Sequence, residues 1–340
     1  MRPAALLLFA HLAPGCGGGG GGEAPVASTP AGAAPGSAGA ARLPEAASAD
    51  RAIALTFDDL PGVAVGTGGC DPGALGALND RLLAVLERND VPAVGLVTGS
   101  RMCDGAPADA LLAIYRAWLE DGHTLGNHTF SHRDLNQVEL DWYTADIERN
   151  ERLLEGAREG RHARRWFRAP FLHYGDTRAK HAGLVRWLAA NDYTVARVSV
   201  DNQEWVFADV YARAKARGDS AVMTRVGEAY IPFMDSVLAF FEARTTEVLG
   251  RYPPQVLLLH VNELNADRMD ALVAMIRSRG YRLIPMEEAL SDPWYAEPDG
   301  YVGPRGLAWL HRRASTEGAA DWPEEPREPA WLAELQRGYR

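Results

Sequence analysis

Ala52-Ile53-Ala54-Leu55-Thr56-Phe57-Asp58-Asp59 is an almost wholly apolar run that stops on two adjacent carboxylates. A strand buried on both faces reads this way, without the polar alternation of a half-buried strand. Downstream, further apolar runs predict strands at 91–97, 123–127, 166–168, 193–200, 255–260 and 281–284. Helical spacing fills the intervals, as in Leu75, Leu78, Leu82, Leu83, Val85 and Leu86. Further helices are expected over 108–119, 138–154, 184–190 and 266–279. Strands alternating with helices imply parallel βαβ units. The simplest account is one α/β barrel of ~240 residues over 51–290. The alternation pauses over 208–249, which reads as a helical insertion or a helix pair. No internal repeat is visible.

The flanks read differently. Met1-Arg2-Pro3, an apolar stretch over 4–13 and Pro14-Gly15-Cys16 look like a secretory signal over 1–16. A cysteine directly after Gly15 resembles a bacterial lipoprotein processing site, with Cys16 as the lipidated residue. A signal cut elsewhere, or a mis-assigned start, is the alternative. Residues 17–50 are Gly, Ala, Pro and Ser with almost no bulky apolar side chain, the composition of a flexible tether. The chain is therefore expected to be exported, periplasmic or at the cell surface, touching a membrane only through the lipid anchor. Export permits a disulfide, and Cys70 and Cys103, both in loops after strands, are the predicted pair. Two separate thiols are the alternative. The formal charge of −10 over 340 residues argues against a nucleic-acid partner. In the C-terminal extension, 291–340, Trp294, Trp309, Trp322 and Trp331 either form a sugar platform or pin the extension to the domain, and packing is the commoner role.

Gly126-Asn127-His128-Thr129-Phe130-Ser131-His132 carries two histidines four apart. On a helical turn those positions share a face and can hold one metal ion. Alone such a pair is more often a surface coincidence or a packed, hydrogen-bonded one. Its position matters more. In α/β barrels functional groups collect at the C-terminal ends of strands. Asp58-Asp59, the histidine pair, Arg168-Ala169-Pro170-Phe171, Asp201-Asn202-Gln203-Glu204-Trp205 and Leu257-Leu258-Leu259-His260 all fall at such ends.

These five motifs, in this order, resemble those of the polysaccharide deacetylases, carbohydrate esterases of the nodulation-protein deacetylase type. The likeness runs over about 51–290 and implies a distorted (β/α) barrel with the helical insertion placed before the last motif. It implies that Asp59, His128 and His132 bind a divalent metal, with zinc first and cobalt, nickel or manganese open, since no thiolate joins the set. Asp58 would be the general base toward the attacking water. Arg168 would orient Asp58, and the Phe171 backbone N–H would steady the oxyanion. His260 would protonate the leaving amine, with Glu204 holding it in the charged form. Leu258 and Trp205 would line a pocket for the acetyl methyl. Three positions depart from the family pattern: Phe171 stands for tyrosine without a following glycine, Glu204 stands for aspartate, and Val261-Asn262-Glu263 follows His260. The expected activity is removal of N-acetyl, less readily O-acetyl, groups from a cell-wall or extracellular glycan. A small-amide C–N hydrolase and an inactive glycan-binding protein are the alternatives. A metalloprotease is disfavoured, because the histidine pair lacks the intervening glutamate that would activate water.

Overall fold

The run that begins at Ala52 forms the central strand β1 (Ala52–Leu60), buried at every position. The computed structural model describes residues 51–62, 71–99, 108–160, 164–316 and 324–339. The predicted lipidation at Cys16, the signal and tether, and the Cys70–Cys103 disulfide lie outside these residues.

Four further strands, β2 (Ala93–Val97), β3 (Thr124–Asn127), β4 (Arg165–Phe167) and β5 (Tyr193–Val195), follow in turn, each reached through a helix. The connecting helices are α1 (Pro72–Arg88), α2 (Ala108–Glu120), α3 (Leu140–Arg158) and α4 (Arg178–Ala190). Two consecutive helices come next, α5 (Glu204–Ala216) and α6 (Ser220–Leu249), confirming a helix pair that opens four residues earlier than expected. The chain returns through β6 (Gln255–His260), α7 (Glu263–Ser278), β7 (Arg282–Leu283) and α8 (Met286–Ala289). The sheet order is β5-β4-β3-β2-β1-β6, with β7 also on β1. Every strand pairing is parallel. All C-terminal strand ends therefore share one rim, and the five motifs meet there.

The predicted strand over 193–200 is shorter than expected, because the chain changes partners. Ala196 N–H still bonds the Phe167 carbonyl at 2.8 Å. Val200 instead donates to Val256 and accepts from Leu258 N–H, at 3.0 and 3.1 Å. That crossing links the β5 side of the curled sheet to β6 and gives a distorted barrel with seven strands among the described residues.

Residues 44–340 make one compact unit, so the C-terminal residues belong to it. Among them are α9 (Trp309–Thr316) and α10 (Ala330–Tyr339), the latter against α5. Trp294 and Trp309 are each 1% exposed, and the Trp309 indole donates to the Trp294 carbonyl at 3.1 Å. Arg197 stacks 3.7 Å over the Trp309 ring, and Arg225 lies 3.8 Å over Trp331. Packing, not a sugar platform, accounts for these three tryptophans; Trp322 is outside the described residues. Trp309→Ala should cost about 3–5 kcal/mol in urea unfolding, as truncating a buried tryptophan does. An unchanged midpoint would show that the tail is dispensable for folding.

Candidate active site

Asp58 and Asp59 are adjacent on β1, and a regular strand would send them to opposite faces. The β1–β2 register slips between Phe57 and Leu60, and Asp59 adopts φ 62°. A bulge of this kind re-aims a side chain at a sheet rim. Aspartate tolerates left-handed backbone better than most residues. Both carboxylates consequently reach one imidazole: His128 Nε2 lies 3.7 Å from Asp58 Oδ2 and 3.9 Å from Asp59 Oδ1.

The two histidines converge through a loop, not through the helical turn that their spacing suggested. Residues 128–134 contain no helix, and Thr129 and His132 take φ 66° and 51°. Side chains hold that path. Thr129 N–H donates to Asn127 Oδ1, and His132 N–H to Thr129 Oγ1, both at 3.0 Å. Ser131 donates its N–H and its hydroxyl to Asp146 on α3, each at 2.8 Å.

Asp59, His128 and His132 present ligand atoms that all lie within 4.8 Å of one another, and all three residues are buried. His132 Nε2 is 3.1 Å from Asp59 Oδ1. His128 Nδ1 is 2.8 Å from the Arg168 carbonyl. A carbonyl only accepts, so Nδ1 carries the proton and Nε2 offers its lone pair to the cluster. Burial pushes His128 down to about 4, against the opposing charge of Asp58, and keeps it in the neutral form that ligation needs. Burial alone would raise Asp59, but other effects, led by the charge and hydrogen bond of His132, outweigh it and hold its carboxyl well below the usual range. Two nitrogens and one anionic oxygen fit a divalent ion such as zinc and leave positions open for water and substrate.

Charged partners flank the cluster. Arg168, wholly buried, donates from Nη1 to Asp58 Oδ1 at 2.6 Å and to Thr56 Oγ1 at 2.9 Å. His260 is the register partner of Asp58 at the end of β6. Its Nδ1 sits 2.8 Å from Glu204 Oε2, and Glu204 has no exposed side-chain surface. Burial would depress His260, yet the hydrogen bond and charge of Glu204 prevail and push it up to about 9. The imidazolium therefore persists at neutral pH.

The family model described as polysaccharide deacetylase matches residues 45–186. The match spans less than half of the 340 residues and shows a likeness of that segment to the family. A peptidoglycan-N-acetylglucosamine deacetylase of Bacillus cereus is 23% identical over 240 residues, which are 69% of this chain. The alignment spans 66% of that relative, just under two thirds of its length. Two solved structures are also similar. A chitin deacetylase from Colletotrichum lindemuthianum shares 21% identity at a TM-score of 0.48, covering 73% of this chain and 89% of its own. A polysaccharide deacetylase from Bacillus cereus shares 17% identity at a TM-score of 0.46, covering 69% and 92%.

The deacetylase segment that matches ends before Glu204 and His260, so their placement rests on geometry. Several residues there escaped the sequence reading. Glu204 Oε1 accepts from the side-chain amides of Asn262 and, at 2.7 Å, Asn265. Tyr230 on α6 donates to Asn265 Oδ1 at 2.8 Å. Asn202 accepts the Glu204 N–H and donates to the Leu258 carbonyl, both at 2.8 Å. One signal was available: an asparagine two residues after the motif histidine, which caps α7.

The substrate-side residues divide. Phe171, φ 59°, is 51% exposed, and its ring meets His132 edge-on with centroids 4.8 Å apart. Trp205 is 45% exposed on the first turn of α5. Leu258 is 5% exposed and packs in a cluster with Phe167, Ala169, Leu172 and Val198. The rim thus presents two open aromatic faces.

The domain should bind one divalent ion per chain. Asp59→Ala should weaken zinc binding by more than about 100-fold, beyond the range typical of outer-partner loss. Calorimetric titration checks this, and unaltered affinity would remove Asp59 from the ligand set.

Proposed function

We propose that this chain is a metal-dependent hydrolase that removes N-acetyl groups from a cell-wall or other extracellular glycan. The reading is carried by one observation: the buried Asp59–His128–His132 cluster lies beside an arginine-held carboxylate, Asp58, whose partner on the neighbouring strand is a glutamate-held imidazole, His260. Amide hydrolysis needs these two opposite proton-transfer roles on either side of one carbonyl. An ion held by the cluster, most simply zinc, would polarise that carbonyl and acidify water. Asp58 is placed to accept the proton of the attacking water, and its ion pair with Arg168 keeps its orientation. His260, kept charged by Glu204, is placed to give a proton to the departing sugar nitrogen. The Phe171 N–H is the second donor for the developing oxyanion. The peptidoglycan-active relative supports an acetamido sugar in a cell wall as substrate. Export and a lipid anchor at Cys16 belong to the same proposal and rest on the N-terminal sequence pattern. A binding protein without catalysis would need neither the Arg168–Asp58 nor the Glu204–His260 pair.

Acetate release by the zinc-loaded chain should be measured on N-acetylglucosamine oligomers, peptidoglycan and acetylated xylan. Asp58→Asn should lower kcat by about 100-fold or more, the usual worth of a positioned base. No acetate from any substrate with zinc bound would defeat the proposal.

The pH profile supplies a separate check. Activity should fall as pH rises past about 9, where His260 loses its proton. Glu204→Gln should move that descending limb toward the ordinary histidine range. The sign for stability is the same. The folded value is raised above 6.5, so the pair stabilises fully below pH 6.5 and loses that contribution through about 9. A limb unmoved by Glu204→Gln would exclude His260 as its origin.

A further inference from the structure

Residues past 290 lie outside the matched deacetylase segment, yet they reach the catalytic rim. Gly306 packs so closely on the Arg168–Phe171 turn that a Cβ there would overlap the Phe171 carbonyl oxygen. Asn136 donates to the Pro304 carbonyl at 3.4 Å, and Trp309 N–H to the Val198 carbonyl at 2.6 Å. Between the 305–315 stretch and residues 324–328 lies a cavity of about 450 Å³, whose wall includes Gln203, Arg305, Leu307, Ser315, Glu325 and Glu328. Gln203 directly precedes the Glu204 that holds His260. The cavity therefore adjoins the catalytic centre instead of lying on a remote face.

Its lining is polar and carries both charges, Arg305 and Arg327 beside Glu324, Glu325 and Glu328, and so offers donors and acceptors to a hydrogen-bonding ligand. Arg305 and Glu328 have no hydrogen bond or ion pair with any other described residue. A free guanidinium donates to sugar hydroxyls and acetamide carbonyls, and a free carboxylate accepts from hydroxyls. Leu307 adds an apolar surface beside them. The volume falls within the ~300–1,000 Å³ typical of small-molecule sites.

We propose that this tail groove binds hydroxyl- and acetamide-bearing sugar units next to the unit being deacetylated, so that the chain selects oligosaccharides over short sugars. The proposal rests on the deacetylase reading for its substrate, and the test separates the two. With full-length, zinc-loaded protein, kcat/KM for acetate release is measured on N-acetylglucosamine dimer through hexamer, for wild type and for the double variant Arg305→Ala/Glu328→Gln. The wild type should gain roughly tenfold from dimer to hexamer, about the worth of one charged hydrogen bond. The double variant should keep the dimer rate and lose the gain. Arg305→Lys should restore part of it. Equal chain-length dependence in wild type and double variant overturns the groove while leaving the deacetylase intact, and so does a wild type with no such dependence. If no oligomer yields acetate, the deacetylase reading rests on peptidoglycan and acetylated xylan, and it fails if they too yield none. The groove is then judged by calorimetry with the hexamer on Asp58→Asn protein, with and without the double change. Roughly tenfold weaker binding in the changed groove upholds it, and equal or absent binding overturns it.

Discussion

A guanidinium with no exposed surface sits inside the curled sheet, and both halves of the catalytic arrangement hang on it. A charge withdrawn from water is tolerable only when paired and hydrogen-bonded. Arg168 meets most of that demand with Asp58 and Thr56 on β1 and, through Nε, with the Ala196 carbonyl at 3.0 Å, while Nη2 has no hydrogen-bond partner among the described residues. Its backbone matters equally. The Arg168 N–H bonds Asn127 O, which extends the β3–β4 pairing, and its carbonyl fixes the His128 tautomer. One residue therefore orients Asp58, fixes the proton on His128 Nδ1 and joins strands. Truncating it would strand a buried carboxylate, a loss of about 3–5 kcal/mol, so fold and chemistry cannot be separated there.

The site is also where the backbone is least relaxed. Among the described residues eight non-glycine positions have positive φ, and five of them, Asp59, Thr129, His132, Phe171 and Leu172, belong to the catalytic rim. Such conformations cost about 1–3 kcal/mol each and persist only where neighbours over-determine them. The neighbours are identifiable. Asn127 bonds the Ile147 carbonyl and Glu151, Asn150 bonds Asn127 and the Val97 carbonyl, and Arg158 pairs with Glu151 at 2.6 Å. This polar cluster between β3 and α3 locks the base of the histidine loop. Rigidity there leaves the metal-site side chains little rotational freedom.

What could be seen in the sequence follows from what each signal depends on. Strands buried on both faces were legible as apolar runs, and the residues predicted for β6 are those observed. The convergence of five motifs on one rim was legible because a parallel sheet places every C-terminal strand end together. The path of 193–200 was not, since an extended apolar segment looks the same whichever neighbour it pairs with. The histidine spacing gave the right residues and the wrong backbone, because His-x-x-x-His fits a helical turn and equally a loop bent by two left-handed residues. The amide clamp on Glu204 was invisible for a different reason. Asn265 is 61 residues away, and nothing local marks which carboxylate its side chain will meet.

That clamp bears on how a glutamate serves where the family has aspartate. A longer side chain has one more rotatable bond and would hold His260 less firmly if only one oxygen were engaged. Here the second oxygen is held by Asn262 and Asn265, and Tyr230 in turn fixes Asn265 from α6. Glu204 also opens α5, where the helix N-terminus favours negative charge. Glu204 is thus held in place with the help of the two-helix insertion itself. Since α10 packs on α5, the tail supports the same element. The setting of His260 consequently depends on parts of the chain outside the matched segment, which is why the insertion and the tail cannot be treated as decoration on a self-sufficient barrel.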